Sequence, residues 1–356
     1  MNRITAGFRS VFYSLILLVA CSSCSPPPGQ VKYEISDLGT LSQNSYATAI
    51  NNNGQVVGYA FTSNGVRAFI HENGAMKEIA APGGLSGAAF AINDSGLVVG
   101  YYNDSNGARR AFSWANNSAK SLGSFGMESV AHGVNNTGKI VGDVVYHPEN
   151  STNVWRSGFV YENGKMSYLR TWWGFNEVAM DINNNNLIVG ADEINAGFIT
   201  GQDRFIQIFN GGTFTQIDDE EGVRITGSAN SVNDAGDIAG WMRGKPNYKV
   251  QAFTATPEKF TKLGTLGGDF SYASCINYSG HVVGASTAKD GSLRAFIYSS
   301  KGMKDLNTLV KGTMAFTSLL AASGINDQGS IVGWGQLPNG DVHAFLAKPV
   351  LVKKPF

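Results

Sequence analysis

The sequence predicts an all-β protein: a seven-bladed β-propeller with four antiparallel strands per blade, its ring closed by an N-terminal strand. Three observations predict it. A phrase of the form Ile50-Asn51-x-x-Gly54-x-Val56-Val57-Gly58 occurs seven times, returning at Ile92-Asn93, Val134-Asn135, Ile182-Asn183, Val232-Asn233, Ile276-Asn277 and Ile325-Asn326. The intervals between its Asn residues are 42, 42, 48, 50, 44 and 49 residues. A period in the forties with four strands per unit marks a propeller blade. The two ends of the chain also have complementary defects. Tyr33 to Leu38 reads as a fourth strand without its first three, and the last repeat stops after His343-Ala344-Phe345 without a clear fourth.

Each element of the repeat follows from its residues. An apolar β-branched residue, then Asn, two polar residues and Gly, describes a strand entering a tight turn, where Asn bonds its own neighbours and Gly supplies positive φ. The Val-Val or Ile-Val that follows is a second strand. The Gly closing the phrase lies inside that strand, which marks a bulge or a close backbone approach. A third strand centres on Ala68-Phe69, Ala111-Phe112, Gly158-Phe159, Ile208-Phe209, Ala252-Phe253, Ala295-Phe296 and Ala344-Phe345. A turn such as Glu72-Asn73-Gly74 then leads into a short fourth strand, as at Met76 to Ile79. Before each phrase, Ala47, Ala89, Ala131, Ala179, Ala229, Ala273 and Ala322 form a file of small residues. Small side chains suit the innermost strands, which crowd around the axis. The fourth repeat departs twice, with Asn186 at the turn Gly and Ile208 at the Ala.

Outside the repeats, residues 1–20 have the layout of a lipoprotein-type signal peptide: Arg3 and Arg9, then a short apolar run ending Leu18-Val19-Ala20-Cys21. This resembles the bacterial lipobox, which implies lipidation at Cys21 and a membrane-anchored, exported protein, periplasmic or on the cell surface. Residues 21–30 form a tether in which Pro26-Pro27-Pro28 favours an extended chain. Residues 31–356 form the propeller. The closing strand is expected to pair with His343 to Ala347; the competing strand for that blade is Val350-Leu351-Val352.

With the phrase laid out, the repeats resemble the extracellular HAF-repeat family of bacteria, from residue 31 to about residue 347. Its His-Ala-Phe tripeptide is complete only at His343-Ala344-Phe345; the His position elsewhere holds Arg67, Arg110, Ser157, Gln207, Gln251 or Arg294. The resemblance implies a secreted repeat protein and carries over no catalytic residue.

Composition and motifs exclude more than they assign. Lys+Arg and Asp+Glu number 27 each, and removing residues 1–20 takes two arginines and no acids. That balance makes no electrostatic case for nucleic acid. Three cysteines give no disulfide framework, and the five histidines follow no metal-ligand spacing. No cofactor motif is present. The residue after each phrase Asn is Asn52, Asp94, Asn136, Asn184, Asp234, Tyr278 or Asp327. Tyr278 and the amides break any repeated carboxylate set for calcium, leaving a turn role.

The loops carry the functional signal. Strand alternation puts the second-to-third loops and the blade-to-blade links on one face. The longest span Asp143 to Ser157 in blade 3 and Ala191 to Phe205 in blade 4. This sector holds His147, Trp155, Trp172 and Trp173, and the acids Asp218, Asp219, Glu220 and Glu221. Tryptophan beside carboxylates suits stacking on sugar rings or anchoring a protein partner. The sequence therefore reads as a binding module for a protein or glycan ligand centred on these residues. The alternative is a carbohydrate-active hydrolase using carboxylates of that face.

The lipobox reading is tested by Cys21→Ala. The variant should move from the membrane to the soluble fraction; retention on the membrane with the apolar run intact means a different anchor.

Overall fold

The computed structural model describes residues 30–84, 86–147, 154–169, 177–194, 203–217, 225–244, 249–256 and 259–352. They form seven four-stranded antiparallel sheets arranged as the blades of a propeller. Blade 1 consists of Ser45–Ile50, Val56–Thr62, Gly65–Glu72 and Ala75–Glu78, from the inside outward. Each blade's innermost strand touches the innermost strands of both neighbours, and the ring closes between blades 7 and 1.

Closure follows the expected pairing. Gln30–Asp37 lies antiparallel to Val342–Val352, with Asp37 opposite Phe345 and Ile35 opposite Ala347. Val350 to Val352 are not a separate outer strand. They continue the same strand past Pro349, which sits opposite Tyr33. Tyr33 is buried with Leu306, Leu309 and Phe316. His343 Nδ1 lies 3.0 Å from both carboxylate oxygens of Asp37, and Lys311 Nζ lies 2.8 Å from Glu34 Oε1. The closing strand thus removes a sheet edge and brings its own apolar anchor.

The closing Gly of each phrase combines both features expected of it. The innermost strand bulges opposite it, between Ala47 and Ala49 in blade 1 and between the equivalent residues in the other six. The bulge pushes a carbonyl inward, so a Cβ on Gly58 would lie 2.0 Å from the Tyr46 oxygen. No side chain fits there. Beside this Gly, in blades 1–3 and 5–7, a fully buried Phe from the third strand fills the space between sheets: Phe69, Phe112, Phe159, Phe253, Phe296 and Phe345.

Blade 4 corrects the sequence reading. Gly190 faces Gln207, not Phe209, so the repeat centre is Ile206-Gln207, two residues earlier than expected. Gln207 donates from Nε2 to buried Asp192 Oδ2 at 3.0 Å. Phe209 packs instead against Phe214, rings tilted by 48° and centroids 4.7 Å apart. A void of about 20 Å³ remains beside Gly190 and Ala179. A polar cluster replaces the aromatic plug in this one blade, and the register moves with it. The turn departure is accommodated, since Asn186 adopts φ 63° where Gly54 has φ 77°.

The Asn of each phrase does two jobs. Asn51 Oδ1 accepts from the amides of Asn53 and Gln55 at 3.1 and 2.9 Å, closing its own turn. Its Nδ2 donates to the Asn93 carbonyl of the next blade at 3.0 Å. Asn93, Asn135, Asn183, Asn233, Asn277 and Asn326 repeat that donation, the last returning to the Asn51 carbonyl. Seven buried hydrogen bonds run head to tail around the axis. Asn183→Ala should cost about 2–3 kcal/mol in chemical denaturation, because it strands a buried carbonyl and two turn amides. Asn183→Asp retains the turn acceptor but replaces the clasp with a carboxylate oxygen set against the Asn233 carbonyl. Hydrogen exchange at Asn185 and Leu187 should therefore be fast in the Ala variant and protected in the Asp variant; equal protection in both would remove the turn role.

Candidate functional site

Three layers of side chains surround the axis. The first, at the mouth formed by the first-to-second strand turns, borders a cavity of about 170 Å³. There the residues following the phrase Asn bond to one another. Asn52 N donates to Asp94 Oδ1 at 2.9 Å, Asp94 N to Asn136 Oδ1 at 2.9 Å, and Asn136 N to Asn184 Oδ1 at 2.7 Å. Asn184 N continues to Asp234 Oδ1 at 2.8 Å, and Tyr278 N to Asp327 Oδ1 at 2.9 Å. Tyr278 has no acceptor at the required position and interrupts the ring after Asp234. These residues stitch turns together, with their oxygens already engaged.

The middle layer is small except in blades 4 to 6. Asp181 accepts from the amides of Ile182 and Val232 at 2.8 and 3.0 Å. Ser231 Oγ lies 3.8 Å from Cys275 Sγ. Burial, opposed by these backbone donors, pushes the Asp181 carboxyl up to about 6. Burial pushes the Cys275 thiol up to about 11, so it remains a protonated, weak nucleophile at neutral pH.

The third layer opens on the loop face and is strongly asymmetric. It begins with the bulged residue of each innermost strand. Thr48 Oγ1 donates to the Ala89 carbonyl at 3.0 Å, Asn230 Nδ2 to Ala273 at 2.8 Å, and Ser323 Oγ to Ala47 at 2.6 Å. In blades 2, 3 and 4 the same position holds Phe90, His132 and Met180, and these line a cavity of about 210 Å³. Tyr101, Arg109, Glu128, Asp143 and Arg156 complete its polar and aromatic wall. Arg109 and Arg156 flank the second-to-third loops of blades 2 and 3, and Glu128 begins an innermost strand. All three positions lie toward the loop face.

Asp143 organises this cavity. It is 4% exposed. His132 Nε2 lies 2.6 Å from its Oδ1, and Arg156 Nε lies 3.4 Å from its Oδ2. The His132 ring stacks on Phe90 with centroids 5.8 Å apart, and Phe90 touches Tyr101 at 5.7 Å. The Arg109 guanidinium sits 5.2 Å from the Tyr101 ring centre, a cation–π arrangement. Asp143 is thus held by His132 and Arg156.

An aromatic shelf continues the wall through blades 1 and 7. Trp334 touches Tyr46 at 5.7 Å, Tyr46 stacks on Tyr59 at 5.2 Å, and Phe61 meets both. Tyr59 and Trp334 occupy the position after the closing Gly, the one held by Tyr101 in blade 2 and Asp143 in blade 3.

Of the ligand-binding residues read from the sequence, His147 and Trp155 lie among the described residues. The strands flanking the blade 3 and 4 loops run further than expected, to Tyr146 and from Trp155 in blade 3, and to Ile194 and from Asp203 in blade 4. Asp143 is therefore a buried strand residue, not a loop residue. Trp155 is half-buried against Tyr146, centroids 6.3 Å apart, and pairs with it across the ladder. It points to the opposite sheet face from Arg156 and so stands outside the cavity. His147 is exposed at the loop's start. Trp172, Trp173, Asp218, Asp219, Glu220, Glu221 and Cys21 lie outside the described residues. His132, Asp143, Arg156, Phe90 and Tyr101 were missed. For all of these but Arg156, the signal was chemical variety at two fixed positions of the repeat, the bulge and the residue after the closing Gly.

No family model matches the chain, and neither does any curated protein. Solved structures share its fold. It superposes on the β-propeller domain of the trilobed protease from Pyrococcus furiosus with a TM-score of 0.53 at 11% identity, covering 88% of this chain and 96% of that one. For the Pyrococcus horikoshii acylaminoacyl peptidase the TM-score is 0.53 at 12% identity, covering 88% of this chain and 53% of that one. For a Mycobacterium tuberculosis puromycin-hydrolysing peptidase it is 0.51 at 10% identity, covering 83% and 50%. The chain spans about half the length of the latter two, and the likeness is one of fold alone. The class defined by fold and geometry is a seven-bladed β-propeller with a polar, aromatic-walled funnel on its loop face.

The Asp181 shift has a checkable sign. The folded state keeps this proton up to about pH 6, while the unfolded chain releases it near pH 4. Between these values the folded state binds the extra proton, so stability falls as pH rises and the loss persists above the window. Asp181→Asn should flatten that fall and gain up to ~2–3 kcal/mol at pH 7.5 relative to pH 4. Parallel denaturation profiles for variant and parent would mean the carboxyl titrates normally.

Proposed function

We propose that this chain is an exported, lipid-anchored β-propeller of the HAF-repeat type that captures a protein or glycan ligand on its loop face. The observation that carries the reading is the cavity of about 210 Å³ lined by His132, Asp143 and Arg156. A buried carboxylate held by both His132 and Arg156 adds nothing to ring closure, which Thr48, Asn230 and Ser323 achieve in other blades with one hydrogen bond each. Preorganised polar groups in an aromatic wall suit recognition. The rim of blades 3 and 4, with His147, Trp155, Trp172, Trp173 and the acids Asp218 to Glu221, is the expected outer contact.

A hydrolase is the second reading, favoured by one observation: Glu128 and Asp143 line the same cavity. Two carboxylates are what glycoside hydrolysis needs. Against it, both oxygens of Asp143 already face His132 and Arg156.

The test uses the intact chain immobilised and probed with glycan and peptide arrays. Saturable capture, weakened tenfold or more by Arg156→Ala at unchanged melting temperature, supports the module. Cleavage of a captured ligand, abolished by Glu128→Gln while capture persists, would make it an enzyme. No capture on either array would overturn both.

A further inference from the structure

We infer that the funnel is a carbohydrate site: the cavity of blades 2 to 4 takes one sugar ring, and the shelf of blades 7, 1 and 2 takes the sugars that follow. The inference rests on the binding-module reading and names its ligand class.

Size comes first. At about 210 Å³ the cavity lies below the ~300–1,000 Å³ of sites for drug-sized ligands, and it suits one ring. The polar wall comes next. Arg109, Arg156 and His132 line this small volume together with Glu128 and Asp143. A phosphate or other dense anion would meet two carboxylates, and a cation would meet two guanidinium groups. A hydroxyl both donates and accepts, so a polyol can use carboxylate and guanidinium side by side. Asp143 is already oriented by His132 and Arg156, so binding costs little further ordering.

The aromatic path then gives direction. Phe90 and Tyr101 stand within the cavity wall. Burial, and then the neighbouring hydroxyls of Tyr46 and Tyr101, raise the Tyr59 phenol above its ordinary value, which sets Tyr59 beside Tyr101. From Tyr59 the rings of Tyr46, Phe61 and Trp334 follow in unbroken contact. Phe61 is 40% exposed although it belongs to this cluster. A run of rings leading out of a charged pocket matches a chain whose units each present an apolar C–H face and a hydroxyl edge. A peptide strand would instead need an open sheet edge to pair with, and the funnel wall presents side chains.

The sevenfold comparison supplies an independent reason. Ring closure asks only for a short donor at the bulge, as Thr48, Asn230 and Ser323 show. Phe90, His132 and Met180 replace that donor in three consecutive blades, and those blades hold the cavity.

The test is saturation-transfer NMR on the intact chain, purified in a non-glycosidic detergent, with free hexoses, deoxyhexoses, N-acetylhexosamines and hexuronic acids. Oligosaccharides of any sugar that binds are then titrated. At least one monosaccharide should give a signal that Arg109→Ala and Asp143→Asn both abolish. Trp334→Ala should weaken the oligosaccharide roughly three- to tenfold, the value of an aromatic contact. Arg109 is exposed, so its variant decides the matter if Asp143→Asn fails to fold. A sugar signal untouched by Arg109→Ala overturns the inference. So does peptide capture through Arg156 with no sugar bound, which leaves the module reading standing. Binding of neither overturns both.

Discussion

A propeller has no continuous core. Its blades are separate sheets, and something must set their spacing and keep the axis from opening. Here the amide of one Asn per blade carries that duty. Each buried bond is worth about 0.5–1.5 kcal/mol net, yet the seven form a closed cycle, so no amide lacks a neighbour's carbonyl. The same side chain's oxygen holds its own turn. Blade spacing and turn shape are therefore coupled through one residue, and neither can drift without straining the other.

That coupling explains why the repeat tolerates so much variation elsewhere. With the turn-side mouth clasped, the loop-side mouth need not be tightly packed. Three blades latch it with a single short polar side chain each. Three others place a phenylalanine, a histidine and a methionine there, and the space they leave becomes the cavity. The closure between first and last strands is likewise local. Tyr33 fills an apolar site, and His343 meets Asp37. The one complete His-Ala-Phe in the chain is the copy whose histidine faces the closing strand.

Blade 4 shows the limit of repetition. Losing the buried phenylalanine opposite Gly190 does not collapse the blade, because Gln207 and Asp192 bond each other in its place. A polar pair packs less fully than a ring, and a small void remains. Blades 4 to 6 also carry Asp181, Ser231 and Cys275 around the axis. In this middle layer blades 4 to 6 are the more polar, while blades 7, 1 and 2 carry the aromatic shelf. The funnel between them is chemically graded.

The sequence by itself determined the fold, because a propeller's constraints are local and recur. The Asn-x-x-Gly turn, the closing Gly and the file of alanines each answer a backbone or packing demand that every blade makes. The offset ends of the chain likewise dictated the closure. The tertiary structure alone decided the site. Asp143 and His132 are eleven residues apart on paired strands, and Phe90 and Tyr101 belong to another blade. Which side chains converge depends on a bulge that turns one residue per blade toward the axis. Loop length pointed to the face on which the cavity opens and to the neighbouring sector, but it misplaced Asp143, because nothing local shows how far a ladder runs before it opens. In blade 4 the same blindness moved the register by two residues. A pattern of Ile and Phe reads equally well either way until the facing glycine selects one.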